Sequence, residues 1–416
     1  MTSSTAPDSS APGATAEQAG GGALAGLKVI DLTRVLGGPY GTQILADHGA
    51  EVIKVEPPQG DETRDWGPPF RNSLSAYFTG VNRNKRSIAL DLSRPEAHAV
   101  LFRLLENADV LVDNFKAGTM EAWGLGYEAV LRQRFPKLIH CRITGFGSNG
   151  PLGGLPGYDS VVQAWSGVTS VNGAPGGGPV RCGIPVIDLG TGFHVVIGIL
   201  MALTERARSG LGQAVDVTLF DTGVALLHPY AANWFMSGKT PTRQGNGHAN
   251  IVPHDLFRTK GRDIVIIAGN DRQFLRLCAE LGCADVAQDS RFANNQARLA
   301  NKAALTEILA ARMAEHDGEE IALRLLKAGV PAGAVLELPD VLDHPQTQSR
   351  QMVVEKDGYR GTGIPIKLSR TPGAVTRVPP QFAADSREIL REAGYDEAMI
   401  ADLAALGVLV TERRRG

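Results

Sequence analysis

Four cysteines in 416 residues are too few to staple a chain of this length, and they are scattered at Cys141, Cys182, Cys278 and Cys283. Cys278 and Cys283 lie five apart on a predicted helix, but without His or Cys partners at zinc spacing, so no structural metal is expected and a reduced compartment is the simplest reading. Net charge is equally scarce: at −2 there is no global field to favour nucleic acid or an anionic membrane as partner. No unbroken apolar run approaches the roughly 18 residues of a membrane span; the longest, residues 195–203, holds a glycine. Residues 1–26 lack Lys and Arg altogether. That excludes a basic secretory n-region and argues against an Arg-rich mitochondrial presequence, leaving the cytoplasm as the expected location and the matrix as a disfavoured eukaryotic counterpart. The same Ser-, Ala- and Gly-rich stretch reads as a disordered tail.

What is present is a soluble-type composition, 43% apolar and 21% charged, on a chain long enough for two or three domains. The order from residue 28 is strand (28–32), glycine turn (37–41), helix (42–48), strand (51–56), strand (88–92), helix (95–107), strand (109–113) and strand (138–143). Strands alternating with helices predict an α/β fold on a parallel sheet, with ligand loops at the carboxyl ends of the strands. The first turn reads Gly37-Gly38-Pro39-Tyr40-Gly41 rather than GxGxxG, and Pro39 removes an N–H that a phosphate would want, so a dinucleotide site is disfavoured. A glycine-rich loop spans 145–157, a polar loop spans 237–253, a smaller module opens near 264, and 386–406 is helical.

Two features carry chemistry. The cluster Asn82-Arg83-Asn84-Lys85-Arg86-Ser87 reads either as a solvated turn or as a phosphate seat beside the sheet. Asp188 closes the apolar run Ile184-Pro185-Val186-Ile187, is followed by Gly190-Thr191-Gly192, and precedes a long apolar helix at 193–203. The Gly-x-Gly at 190–192 reads as a turn, and Asp188 reads either as the following helix's N-cap or as a functional carboxylate; spacing alone leaves both open.

Six segments in this order resemble the class III CoA-transferases, the CaiB/BaiF family that includes formyl-CoA transferases. They are residues 29–39, 49–56 and 82–88, then Asp113-Asn114-Phe115, Gly157-Tyr158-Asp159 and Asp188-Leu189-Gly190-Thr191-Gly192. The likeness covers about 24–410. Trp66-Gly67-Pro68-Pro69-Phe70 and His248-Ala249-Asn250-Ile251-Val252-Pro253 further resemble the dicarboxylate subgroup that uses succinyl-CoA and glutarate. The resemblance implies a Rossmann-like large domain from 27–225, a small domain at 226–335 preceded by a linker and a glycine lid, and a return segment at 336–416 that completes the large domain. It also implies a ring-shaped subunit interlocked with a second copy in a homodimer.

For the site, the resemblance makes Asp188 the nucleophile that carries the acyl group, ionised without special tuning, with Tyr158 and the lid glycines Gly245 and Gly247 beside it. Acyl-CoA racemases of the same superfamily use a His where this chain has Tyr158, and a phenol is a poor base at neutral pH; transfer is therefore the expected reaction. CoA contacts carry over to Leu36 and Gly37, to Leu90, Asp91, Leu92 and Ser93, and to Asn114, Phe115 and Lys116. The formyl-CoA enzymes have Arg where this chain has Pro57 and Ala122, so Arg86 of the basic cluster or Lys116 is expected to meet the phosphates. A dicarboxylate's distal end calls for an arginine fork: Arg181, Arg243 and Arg34 are the candidates, with His248 as a lid hydrogen-bonding group. The resemblance implies no tightly held cofactor, with the CoA thioester itself as substrate and a carboxylic acid as acceptor; no metal, nucleic acid or membrane partner is expected.

Overall fold

The computed structural model describes residues 21–414; the tail expected at residues 1–20 lies outside them. Residues 21–26 do not belong to a tail. Leu24 and Leu27 pack against the core, and the Leu24 N–H donates to the His48 carbonyl at 2.9 Å.

Six parallel strands form the main sheet: β1 (Lys28–Asp31), β2 (Glu51–Glu56), β3 (Lys85–Ala89), β4 (Val110–Asp113), β5 (Ile139–Thr144) and β6 (Ala214–Thr218). Their spatial order is β3-β2-β1-β4-β5-β6, the doubly wound arrangement. Val29 pairs with Val52 on one side and Val110 on the other. Runs such as Val110-Leu111-Val112 are apolar throughout because helices cover both faces. Ile30, Ile53 and Leu111 face one core with helix α2 (Pro95–Leu105) and the C-terminal Ile389, Ile400 and Leu409. Val29, Val52 and Val110 face a second core with α1 (Gly37–Asp47) and the long helix Val186–Ser209.

Strand β3 begins earlier than the apolar residues 88–92 suggest. Val52 pairs with Lys85 and Glu56 with Ala89, so the basic cluster runs into the strand's amino end, where its charges are neutralised by ion pairs. Both stretches read as glycine turns are helical. Residues 37–41 open α1, where Pro39 falls among the first N–H groups that have no intrahelical partner anyway. Residues 186–192 open α4 (Val186–Ser209), which follows α3 (Asp159–Trp165). α4 is long and apolar enough to cross a membrane by length and composition. Here Val195, Ile199 and Ala202 lie in the core, while Phe193, Ile197 and Met201 are exposed.

The glycines let α1 and α4 meet backbone to backbone. A Cβ on Gly192 would stand 2.8 Å from the Gly37 carbonyl oxygen, and one on Gly41 would stand 3.0 Å from that of Gly192. This contact brings the start of α4 to the carboxyl end of β1. Between β1 and β4 the strand order reverses, so the loops leaving those strands diverge and open a crevice.

A smaller antiparallel sheet of β7 (His254–Phe257), β8 (Ile264–Ile267) and β9 (Ala332–Ala334), ordered β9-β8-β7, has its own core around Phe274, Leu309 and Leu325.

Candidate active site

The loop after β1 forms one wall of the crevice. Asp31 ends the strand, fully buried, accepting hydrogen bonds from the Thr33 N–H at 2.9 Å and Thr42 Oγ1 at 2.6 Å, with Lys85 Nζ at 3.0 Å. Burial alone would raise its carboxyl; Lys85, Lys54 and the two threonines override that and hold it down at about 2. Asn114, at the end of β4, holds the loop from the other side. Its Oδ1 accepts from the Arg34 N–H at 2.9 Å and its Nδ2 donates to the Arg34 carbonyl at 2.7 Å. Asp113 is fixed in turn: it accepts from the Phe115 N–H at 3.1 Å and meets His140 Nε2 at 2.6 Å.

Asp188 is in the first turn of α4, not at its N-cap, which is Pro185 and offers no side-chain bond. The cap comes from elsewhere in the chain. Asp159, at the start of α3, accepts from the N–H groups of Ile187 at 2.9 Å and Asp188 at 3.2 Å through one oxygen, and from Gln163 at 2.6 Å through the other. Among the described residues, Asp188 is paired with no cation. Burial, and then the charge of Asp159, push its carboxyl up to about 7. The expectation of an untuned carboxylate is therefore corrected: near neutrality Asp188 exchanges its proton. Gly190 and Gly192 lie inside the helix, where N–H groups serve i−4 carbonyls; Gly192 makes the close crossing with α1, while Gly190 packs against Thr222 and Leu226.

A cavity of about 290 Å³ joins these parts. It brings together Arg34, Leu36, Gly37, Asn114, Phe115, Lys116, Tyr158 and Asp188, all expected from the sequence. Phe115 also lines a neighbouring cavity of about 240 Å³ with Leu90, Asp91, Leu92, Ser93 and Pro57. The two compartments adjoin at this ring and together form the groove; Asp188 lines the first of them.

Other expectations fail in this arrangement. Arg86 does not reach the groove: its guanidinium meets Glu51 at 3.0 Å, Glu392 at 2.7 Å and Glu388 at 3.3 Å. Arg83 pairs with Asp47 at 2.7 Å and Lys85 with Asp31. The cluster leads into β3 and supplies its first residues, so it lies at the amino end of that strand, whereas the groove is at the carboxyl end of the sheet. It is neither a solvated turn nor a phosphate seat. Arg181 is exposed, donating to the Cys182 and Gly183 carbonyls. Arg243 donates to the Gly177 and Ser170 carbonyls and lines a separate cavity of about 900 Å³ with Lys302. Gly245 bonds the Gly173 carbonyl, Gly247 follows in the same loop, and His248 stacks on His254 at 5.1 Å. Within one chain, none of these lines the Asp188 cavity.

Three site residues have no role assigned from the sequence. Asp159 is the remote cap. Glu62 lines the cavity, and the Tyr158 hydroxyl is raised by burial and then by the charge of Glu62, with Arg34 opposing. Tyr77 has its hydroxyl pushed up to about 12 by burial and by Asp188, Asp159 and Asp61. Asp159 had a signal, an acid at a helix start; Glu62 and Tyr77 had none, because only folding brings residues 61–77 to Asp188.

A doubly wound sheet with a cation-free carboxylate at its switch point is the frame of an α/β enzyme acting on a substrate laid along the strand ends. The comparisons narrow this. The chain belongs to CoA-transferase family III, whose model matches residues 24–386. It is 41% identical, over 89% of its own length and 95% of the other, to a protein of Agrobacterium fabrum named succinate–glutarate CoA-transferase. It is also 41% identical, over 84% and 90%, to an acetyl-CoA:oxalate CoA-transferase of Acetobacter aceti. The crystal structure of a CAIB/BAIF family protein from Brucella suis matches with a TM-score of 0.81 at 40% identity, covering 90% of this chain and 100% of that one.

Proposed function

We propose that the protein moves CoA from succinyl-CoA to a dicarboxylic acid such as glutarate, with Asp188 as the covalent acyl carrier. The observation that carries this is the position of Asp188, a carboxylate raised to about 7 in the wall of the cavity that Arg34, Tyr158 and Phe115 also line. A pKa near the working pH keeps a large ionised fraction while making each ionised group more basic, and hence a better nucleophile.

In the proposed sequence, an Asp188 oxygen attacks the thioester carbonyl and expels CoA thiolate, leaving a mixed anhydride. The thiolate attacks the Asp188 carbonyl carbon, releasing the donor acid and forming an aspartyl-CoA thioester. The acceptor carboxylate attacks that thioester, again giving an anhydride and thiolate. Attack of the thiolate on the acceptor's acyl carbon yields the new CoA ester and returns Asp188 as carboxylate. Arg34, the arginine lining the cavity beside Tyr158, is the group to pair with a substrate carboxylate. The Tyr158 hydroxyl, held protonated, is a hydrogen-bond donor to it. Lys116, exposed near Phe115, is placed for the CoA phosphates.

A second copy of the chain is part of this proposal. Trp165, Phe193, Met201, Phe235 and Met236 are exposed, the last at 92%. A patch of such residues supports a homodimer, in which the partner would supply the glycine loop and the second arginine of the substrate site. The cytoplasm fits four cysteines that are all unpaired.

The test is incubation with succinyl-CoA and a panel of acids (glutarate, oxalate, malate, mesaconate, carnitine), with CoA esters read by mass spectrometry. Glutaryl-CoA formation supports the reading. Transfer only to oxalate or another acid replaces the acceptor. Loss of α-proton chirality without transfer overturns it in favour of racemisation.

A further inference from the structure

We infer that Asn114 and the buried Lys54–Asp61 ion pair are positioning residues of this site, clamping residues 33–35 in a backbone conformation that Val35 itself disfavours. The inference rests on the transfer reading above and adds to it which residues shape the wall facing Asp188.

Val35 has φ 72°. For a β-branched residue this left-handed region is a true outlier, disfavoured by roughly an order of magnitude or more in population. Such strain persists only where the surroundings over-determine it. Here they do. The Thr33 carbonyl accepts from Lys54 Nζ at 2.7 Å, the Val35 N–H donates to Asp61 Oδ1 at 3.3 Å, and the Arg34 N–H and carbonyl are both taken by the Asn114 amide. Lys54 and Asp61 meet at 2.9 Å with no exposure of either side chain. Asp61 is locked further by Thr63 at 2.7 Å.

The clamp has a chemical consequence because of what the loop carries. Arg34 keeps Nε buried without a hydrogen-bond partner among the described residues. Gly37, two residues beyond Val35, lies so close to Asp188 that a Cβ there would stand 3.1 Å from its carbonyl oxygen. Relaxation of Val35 would swing Arg34 and move this wall. Displacement of about 1 Å in a reacting geometry costs on the order of 100-fold in rate. The sequence resemblance makes Asn114 a CoA contact; its geometry makes it a brace. The two roles predict different kinetics.

The experiment uses the full chain with succinyl-CoA and the acceptor the wild type accepts. Asn114→Ala should lower kcat about 10- to 100-fold while KM for the CoA ester changes less than about 3-fold. In a Val35→Gly background, where glycine accepts the left-handed region freely, the same Asn114→Ala change should cost at least about 5-fold less, a coupling read from the double-mutant cycle. Hydrogen exchange of peptides covering residues 33–36 should accelerate in Asn114→Ala and in Asp61→Asn. Should Asp61→Asn fail to fold, the joint replacement Lys54→Met with Asp61→Leu removes both charges and should show the same exchange and kcat loss. A raised KM at unchanged kcat, or additive losses in the cycle with unchanged exchange, overturns the clamp. Absence of transfer to any acid by the wild type overturns the functional reading instead, and the exchange data then judge the clamp separately.

Discussion

Asp31 and Asp188 are the same residue type, withdrawn from water near the two ends of one loop-and-helix contact, yet they are tuned in opposite directions. Asp31 sits between two lysines and two hydroxyls and is held at about 2. Asp188 has a second acid, Asp159, as its charged neighbour and is pushed up to about 7. The region around Asp31 continues as a buried network in which every acid has its cation: Lys54–Asp61, Glu56–Arg64 and Asp47–Arg83, with nitrogen–oxygen separations of 2.6–2.9 Å. Paired charges shape the loop; the unmatched one is free to react. Divergent environments for like carboxyl groups separate their roles.

The comparison breaks most sharply at Asp188. Asp188→Ala should lower CoA exchange by about 10⁴-fold or more, as loss of a covalent nucleophile does, measured by ester formation at saturating substrate; full activity would remove the nucleophile assignment. At Asp31 the expected effect is on stability. Asp31→Ala leaves the Lys85 ammonium buried without its partner and should cost roughly 3–5 kcal/mol in urea unfolding.

The pH dependences have opposite signs. Asp31 has its folded pKa depressed, so its stabilisation is present above the unfolded value near 4 and is lost as pH falls toward 2. Asp188 has its folded pKa raised. Its relative stabilisation is present below about 4 and is lost as pH rises through 7. Asp188→Asn should therefore gain on the wild type between pH 5 and 9, by roughly 2–3 kcal/mol after allowance for partial solvent access, in paired denaturation curves. The acid limb of the transfer rate should fall near pH 7 for the same reason. The smallest effect is expected from Asp159→Asn, which removes the neighbouring charge but keeps an acceptor for the α4 N–H groups. Its acid limb should move to lower pH, with a cap loss of no more than about 1 kcal/mol; an unmoved limb would show that burial alone tunes Asp188.

The alternation of strand and helix was legible because the central strands are apolar runs bounded by glycine and proline. The eight groove residues from Arg34 to Asp188 were legible through a family resemblance held in short, ordered segments. What was misread has a common cause. Glycines at 37–41 and 190–192 look like turns in one dimension, but here they are helical, and Gly37, Gly41 and Gly192 are the flat faces on which two helices touch. The basic run 82–87 looks like a ligand site, but it stands at the amino end of its strand, opposite acids from distant segments. Arg181, Arg243 and the lid glycines are not brought to Asp188 by one chain, which is the physical ground for including a second copy in the proposal.

The sequence by itself therefore determined the parallel α/β framework, the family and the identity of the carboxylate at its centre, since these depend on local pattern and on motifs that survive as short strings. Only the tertiary structure decided which acid is neutralised and which is raised, that Asp159 caps a helix 27 residues downstream, and that Val35 is held left-handed. Charge tuning and backbone strain are set by neighbours across the fold, and those neighbours exist only once the chain has packed.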